Sequence, residues 1–421
     1  MASSGFDPQG ILRSLFDAAV DAADPVRAVA AYLPKPPLGR TAVVGAGKAA
    51  IQMAAAVEAN WPGPLEGFVV APHGYVSGLK RIATVHARHP VPDSGSLAAA
   101  DKALTLAATL GKDDLLIALI SGGGSALMSK PAPGIAMEEK LGLVSALLKC
   151  GANIAELNCV RKQVSAVKGG RLAQAAGAAA IHTLVISDVP GDDPAIVASG
   201  PTVADPTLKR DALAILERYR IAIPASVRRW LEVPDETRKP LRRDNEVRVI
   251  VSPRASFRAA STKAREMGLN VLYLGDRIEG ESREVAKVHA GIALQIQQND
   301  APVKRPCVVL SGGETSVTVR GRGRGGRNVE FILSLAIALA GEKGIHALAG
   351  DTDGVDGMEQ IAGAWISPDT LERARGLGLD AMAFLENNDA HGFFEKLGDR
   401  IVTGPTQTNV NDFRAILIGM P

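Results

Sequence analysis

The sequence predicts a two-domain α/β protein, with an N-terminal domain on a doubly wound parallel sheet and a C-terminal α/β domain with a mixed sheet. Three observations carry that expectation. Short apolar runs repeatedly end in a glycine cluster and give way to a helical run, the pattern of parallel βαβ units. At 421 residues the chain is longer than one ordinary core supports. Between about residues 203 and 245 the texture turns polar and proline-broken, and the alternation then resumes. This break divides the chain into 1–238 and 239–421. Open α/β sheets bind ligands beyond the carboxyl ends of their strands, so the site is expected in the interdomain cleft.

Taken in order, Ile11, Leu15, Ala18, Ala19 and Ala22 recur at helical spacing, and Pro34, Pro36 and Pro37 end that first amphipathic helix. Strand-then-loop segments are expected at TAVVGAG (41–47), FVVAPHG (68–74), DLLIALISGGGSALM (114–128) and HTLVISDVPGDD (182–193). After a boundary or peripheral helix plus linker in 203–245 the alternation continues with EVRVIVS (246–252), NVLYLGD (270–276), CVVLSGGETSV (307–317), HALAGDTDG (346–354) and RAILIG (414–419).

Composition excludes several functions. Net charge is +2 and aromatics are 4%, which offers no basic field or stacking platform for nucleic acid. The start has no secretory pattern, and no run of about 18 apolar residues suggests a membrane span. Cys150, Cys159 and Cys307 are too few for a disulfide framework and fit a reducing cytoplasm, each read as a small buried hydrophobe. A homodimer is left open.

The chemistry is expected on loops that follow strands. Gly45-Ala46-Gly47-Lys48-Ala49-Ala50 satisfies a dinucleotide fingerprint, which makes the first domain Rossmann-like. The next strand, however, ends in Val70-Ala71-Pro72-His73-Gly74 without the acid that would hold a nicotinamide ribose. Lys48 opens the helix, where a cation is out of place unless an anion binds; a lysine reaching solvent is the alternative. Ser121-Gly122-Gly123-Gly124-Ser125 reads as a phosphate or carboxylate cradle, or as a plain tight turn. Asp188, Asp192 and Asp193 offer carboxylates to Mg²⁺, or are turn chemistry.

In the second half, Ser311-Gly312-Gly313-Glu314-Thr315 repeats the strand-then-glycine design with one carboxylate. Arg320, Arg322, Arg324 and Arg327, spaced by glycines, read as a phosphate clamp in preference to an RNA-binding tract. Asp351, Asp353 and Asp356 follow a strand without EF-hand spacing, so a two- or three-carboxylate Mg²⁺ or ribose site fits better. Thr403 to Asn409 is a dense hydroxyl and amide loop.

Together VVGAGKAA, HPVPDSGS, LISGGGSALM, LNCVRKQVSAVKGGRLA, ISDVPGDD, ASGPT, LSGGET, GRGGRNVEF, DTDGVDG and TGPTQTNVND, in this order over nearly the whole chain, resemble the class II D-glycerate 2-kinase family. The C-terminal portion of that family is the MOFRL domain, here about 303–415. The resemblance implies ATP and Mg²⁺ as cofactors, D-glycerate as substrate and 2-phosphoglycerate as product. An NAD(P)H-dependent hydroxypyruvate reductase is the alternative, since relatives carry that label. By resemblance Lys48 and Arg327 are the catalytic cations, and Asp192 is a candidate base. Gly45, Gly47, the Ser121–Ser125 loop, Gly312, Gly313 and Thr315 are implied to hold cofactor, and Asp188, Asp193, Glu314 and Asp353 to hold metal. Two positions depart from the family pattern: Gln163 stands where many relatives have His, and Gln360 where they have an acid.

Overall fold

The computed structural model describes residues 7–189, 191–234, 241, 245–406, 408 and 410–420. Two compact units emerge. One holds Pro25–Ser187 and Asp192–Ile250; the other holds the chain up to Asp24, the Asp188–Gly191 stretch and everything from Val251 onward. The division therefore falls near 250, whereas the sequence reading placed it at 238, and the first 24 residues belong with the second half.

The first unit is built on a parallel sheet of β1 (Thr41–Ala46), β2 (Glu66–Pro72), β3 (Ala83–Ala87), β4 (Leu115–Ile120), β5 (Ala180–Ile186) and β6 (Glu246–Val251). Strand order is β3-β2-β1-β4-β5-β6. Every residue of β1 and β4 is buried, as central parallel strands covered on both faces require. The helix Ser94–Ala108 starts on a capping box in which Asp93 accepts from the Ser96 amide at 3.0 Å and Ser96 Oγ accepts from the Asp93 amide at 3.1 Å. A separate apolar cluster joins the helices Met137–Lys149, Ile154–Gln163, Lys209–Arg218 and Ala225–Glu232. The stretch 203–245 thus contributes two packed helices; residues 235–240 and 242–244 lie outside those described.

The second unit carries a mixed sheet: β7 (Asn270–Tyr273), β8 (Ile278–Glu281), β9 (Cys307–Ser316), β10 (Ile345–Asp351), β11 (Gly363–Ile366), β12 (Arg400–Ile401) and β13 (Asp412–Ile418). Its order is β12-β11-β10-β13-β9-β7, with β8 added against β9. Strand β13 runs antiparallel to both β9 and β10, placing Asp412 opposite Asp351 on one side and Gly313 on the other. The helices Ser282–Asn299 and Arg327–Leu339 supply one apolar core of this unit. A second is formed by the helices Pro8–Asp21 and Pro253–Glu266, where Leu12, Leu15 and Phe16 meet Phe257 and Phe413.

His289 ties helix to sheet in this unit: Nδ1 donates to Val285 O at 2.8 Å, and Nε2 accepts from Ser311 Oγ at 2.9 Å. Burial pushes its pKa down to about 4, against the Val285 bond and with help from Arg414. The unfolded imidazole titrates near its ordinary 6.5, so the folded state binds fewer protons in between. The stability this provides is complete above about pH 6.5 and is lost as pH falls towards 4. Urea midpoints across that range should decline by an amount equivalent to about 3 kcal/mol, and His289→Gln should flatten the decline.

Candidate active site

Order β3-β2-β1-β4-β5-β6 reverses direction between β1 and β4, and crevices beyond such a reversal are where doubly wound sheets bind ligands. The two loops leaving β1 and β4 are the two glycine loops of the sequence, and the backbone laces them together. The Lys48 amide donates to Gly122 O at 2.8 Å, the Ser121 amide to Ala46 O at 3.1 Å, and the Ala49 amide to Ser121 Oγ at 3.1 Å. Gly47 has φ +141°, and a Cβ there would fall 2.0 Å from Ser121 Oγ. A Cβ on Gly45 would likewise fall 2.7 Å from Val69 Cγ1 and 2.9 Å from Leu119 O. Ser121 is wholly buried, so its hydroxyl joins the loops rather than lining a cradle.

Gly123 and Ser125 are the half-buried members of the second loop, and Gly122 and Gly124 are buried. Lys48 is half-buried in the turn two residues before the helix Ala50–Asn60, not in its first turn. A Cβ on Gly123 would meet His89 Cδ2 at 3.1 Å and Lys48 Cγ at 3.5 Å, so the absence of a side chain lets His89 and Lys48 approach the loop. Folding also brings His73 Nε2 within 3.5 Å of Asp93 Oδ2.

Behind this loop lies a polar group with no local sequence signature. Lys168 Nζ donates to Ser125 O at 2.6 Å and to Ser125 Oγ at 2.9 Å. Ser125 Oγ lies 3.1 Å from Ser199 Oγ, which donates to Asn158 Oδ1 at 3.1 Å. Lys140 Nζ donates to Ser129 Oγ at 2.9 Å. Burial and the mutual repulsion of the cations depress both lysines, Lys140 to about 7 and Lys168 well below its ordinary range. Gln163, wholly buried, donates to Asp205 Oδ2 at 2.9 Å and Thr207 O at 2.8 Å, the work of a structural anchor.

The second unit concentrates charge at Arg327, the first residue of the helix Arg327–Leu339. Its Nε donates to Asp412 Oδ1 at 2.6 Å, one terminal nitrogen to Asp351 Oδ2 at 2.7 Å, the other to Glu314 Oε1 at 3.4 Å. Arg414, wholly buried, donates to Asp412 Oδ2 at 2.5 Å. Asp356 caps the helix, accepting from the amides of Asn328 at 3.1 Å and Val329 at 2.9 Å. Burial works against the Arg327 charge, but Asp412, Asp351 and Glu314 outweigh it and hold the guanidinium well above its ordinary range. Burial raises Asp412 as well, and Arg414 and Arg327 reverse that and keep it ionised. Asp356 has burial as its dominant influence and rises to about 6. Arg327 also lines a cavity of about 280 Å³ walled by Gly325, Gly326 and Gly357.

Several sequence expectations change here. Gly312 and Gly313 lie inside β9, not in a cofactor loop: a Cβ on Gly312 would strike the Phe257 ring at 2.3 Å, and one on Gly313 (φ +134°) would strike Ile278 O at 2.2 Å. Thr315 is buried and accepts from Ser282 Oγ at 2.8 Å and from Arg414 at 3.0 Å. The glycines between the arginines give close contact, not freedom, since Gly321 and Gly323 press on Asn387 and Asp389. Of the four arginines, Arg327 enters the carboxylate cluster, while Arg324 pairs with Glu395 at 2.6 Å.

Each of the four carboxylate residues expected to hold metal has a hydrogen-bond partner within the protein. Glu314 faces Arg327, and Asp353 Oδ1 accepts from the Val355 amide at 2.8 Å. Asp193 Oδ1 accepts from the Ala195 amide at 2.9 Å, and Asp188 O accepts from Asn411. Among the described residues no three His, Cys, Asp or Glu side chains are placed to hold a metal ion. Asp192 lies in the first unit with a left-handed φ of 58°. Pro190, Gln407 and Asn409, within two of the expected loops, lie outside the described residues. Cys150 is exposed, unlike Cys159 and Cys307. No helix among the described residues is long and apolar enough to cross a membrane.

Comparison with known proteins agrees with this architecture over its full length. A domain of unknown function, DUF4147, matches residues 11–232, and the MOFRL family matches residues 307–412. An Agrobacterium vitis protein provisionally named hydroxypyruvate reductase is 52% identical, covering 97% of this chain and 94% of its own. The D-glycerate 2-kinase of Thermotoga maritima is 38% identical over 99% of both chains. A crystal structure of glycerate kinase from Thermotoga maritima superposes with a TM-score of 0.89 at 38% identity, covering 98% of this chain and 99% of that one. Matched by sequence family at both ends and by fold throughout, the chain belongs to the class II, MOFRL-containing glycerate 2-kinase family.

Proposed function

We propose that this protein transfers the γ-phosphoryl group of MgATP to the 2-hydroxyl of D-glycerate. The observation that carries the reading is the pair of interlocked glycine loops at the strand-order reversal, with Lys48 laid across Gly123. Such a reversal point is a phosphate-binding place, and a loose, charge-spread transition state asks for fixed positive charge around the group in flight. By the family resemblance, Lys48 and Arg327 are the candidate cations. Arg327 is held by three carboxylates, of which Glu314 is the most distant and the most exposed. Exchanging Glu314 for a phosphoryl oxygen costs little, because an exposed ion pair is worth about 1 kcal/mol or less.

In the reaction a bond forms between the glycerate O2 and the γ-phosphorus, and the bond from that phosphorus to the β,γ-bridging oxygen breaks. ADP departs, and the hydroxyl proton passes to a carboxylate, for which Asp192 is the candidate. A non-glycine residue held at a left-handed φ is a form of strain that clusters at working sites. Magnesium would arrive as part of the nucleotide substrate.

The reductase reading has the name of the Agrobacterium vitis relative in its favour. Against it, β2 ends in Ala71-Pro72 without the acid that would hold a nicotinamide ribose. A coupled assay distinguishes the two. D-Glycerate with MgATP should yield ADP and 2-phosphoglycerate in equal amounts, and hydroxypyruvate should oxidise neither NADH nor NADPH. Nucleotide oxidation without ADP formation would reverse the conclusion.

A further inference from the structure

Three cations of the first unit, Lys140, Arg161 and Lys168, are within electrostatic reach of one another, and among the described residues none is paired with a carboxylate. Nearby basic groups show the ordinary solution: Lys130 pairs with Asp101 and Lys162 with Asp205. Lys140 is 4% exposed and Lys168 is 2% exposed. Burying like charges without a counter-ion is costly, and a fold keeps such an arrangement when an anion completes it. The two ammoniums reach opposite ends of the short helix Gly124–Leu127, through Ser125 and Ser129. The hydrogen bonds around Ser125 run one way. Because Ser199 donates to Asn158, it accepts from Ser125, and Ser125 accepts from Lys168.

We propose that Lys140 and Lys168, with Ser125 held by Lys168 and Arg161 within electrostatic reach, form an oxyanion site that holds the carboxylate of a short 2-hydroxy acid. The assignment deepens the kinase reading and rests on it. In such an acid the carboxylate carbon is bonded directly to the carbon bearing the reacting hydroxyl, so it must be anchored within a few ångströms of the transferring phosphoryl group. The loop meets that requirement. Gly123 lies against Lys48, and two residues later Ser125 lies against Lys168. The carboxylate is common to substrate and product, which suits a fixed buried anchor, whereas the phosphates must come and go. A nucleotide phosphate is the competing oxyanion for the same charges.

Steady-state kinetics of Lys168→Met and Arg161→Gln decide between them. Losing one charge-assisted contact should raise KM for D-glycerate roughly 10- to 100-fold and leave KM for MgATP within about twofold. Isothermal titration of D-glycerate without nucleotide should lose the same factor. Lys168→Met should also melt at a higher temperature than the parent when no ligand is present, because it removes an uncompensated buried charge. That gain would not accompany a merely structural lysine. A raised KM for MgATP with unchanged glycerate binding would overturn the carboxylate assignment in favour of a nucleotide phosphate. Unchanged constants in an active parent would overturn the site and leave the kinase reading standing. A parent that forms no ADP with D-glycerate would remove the kinase reading itself.

Discussion

Arg327→Ala is expected to lower kcat by roughly 10³-fold or more and to weaken the second unit at the same time. The double effect follows from where the guanidinium sits. Asp412 is wholly buried and Asp351 nearly so, and Arg327 reaches them at 2.6 and 2.7 Å. Taking the cation away removes the guanidinium from two buried carboxylates, and breaking buried pairs of this kind costs about 3–5 kcal/mol. Loss of activity through loss of fold must be separated from loss of a charge at the transition state. Arg327→Lys makes that separation, because it restores a charge to the carboxylates but lacks the fork that grips planar oxyanions. The expected outcome is a urea midpoint recovering most of the way to the parent with kcat still depressed about 100-fold or more. Glu314→Gln, removing the partner at 3.4 Å, should leave the midpoint within about 1 kcal/mol of the parent. Full activity in folded Arg327→Ala would sink the role given to this residue.

Gly47→Ala should strongly damage the first unit. The new carbon would need to occupy space 2.0 Å from Ser121 Oγ and 2.6 Å from Ser121 O, at a φ of +141° that side chains avoid. Neither neighbour is the far end of a flexible side chain, so the β1 and β4 loops must separate. Crowding and backbone strain together should cost on the order of 3 kcal/mol or more, and turnover should fall with the loss of loop register. Gly142→Ala is the matched control, since it lies exposed in the helix Met137–Lys149 with open space around the new methyl. It should be neutral or stabilise by up to about 1 kcal/mol. Thermal melts of both variants check this, and a Gly47→Ala melt matching the parent would contradict the packing described.

Those two glycine loops were readable in the sequence because a central parallel strand is a continuous apolar run and its exit turn needs small residues. The same rule misled at Gly312 and Gly313. There the apolar run simply continues as strand, and the glycines admit the Phe257 ring and the β8 backbone. Four strands had no readable signal. β3, β8, β11 and β12 are two to five residues long, and β3 and β12 sit at sheet edges, where burial imposes little pattern. Arg327 was found through its unusual setting, but Asp351 and Asp412 become its partners through a strand register that pairs residues 61 positions apart. A glutamate next to a glycine pair, Glu314, looked the better ligand for want of that register. Lys140, Arg161 and Lys168 come from separate segments, and each looks like an ordinary surface charge in its own stretch. Their common property is the lack of a carboxylate partner among the described residues, with Lys140 and Lys168 also buried, and this exists only once the chain is folded.

The placement of the helix Pro8–Asp21 has a consequence for the order in which the molecule can form. Its Leu12, Leu15 and Phe16 face Phe413 and the rest of a core that includes β13, close to four hundred residues downstream. Emerging from the ribosome long before β13, this helix has nowhere to bury that face until β13 has been made. A 14-residue helix holds together poorly in water without tertiary support, so its apolar stripe stays uncovered through most of synthesis. The first unit can close its own sheet in the meantime, since β1 to β6 follow one another between residues 41 and 251. The contact that completes the second unit is thus the one with the longest loop to close, the kind that sets a slow final step in refolding.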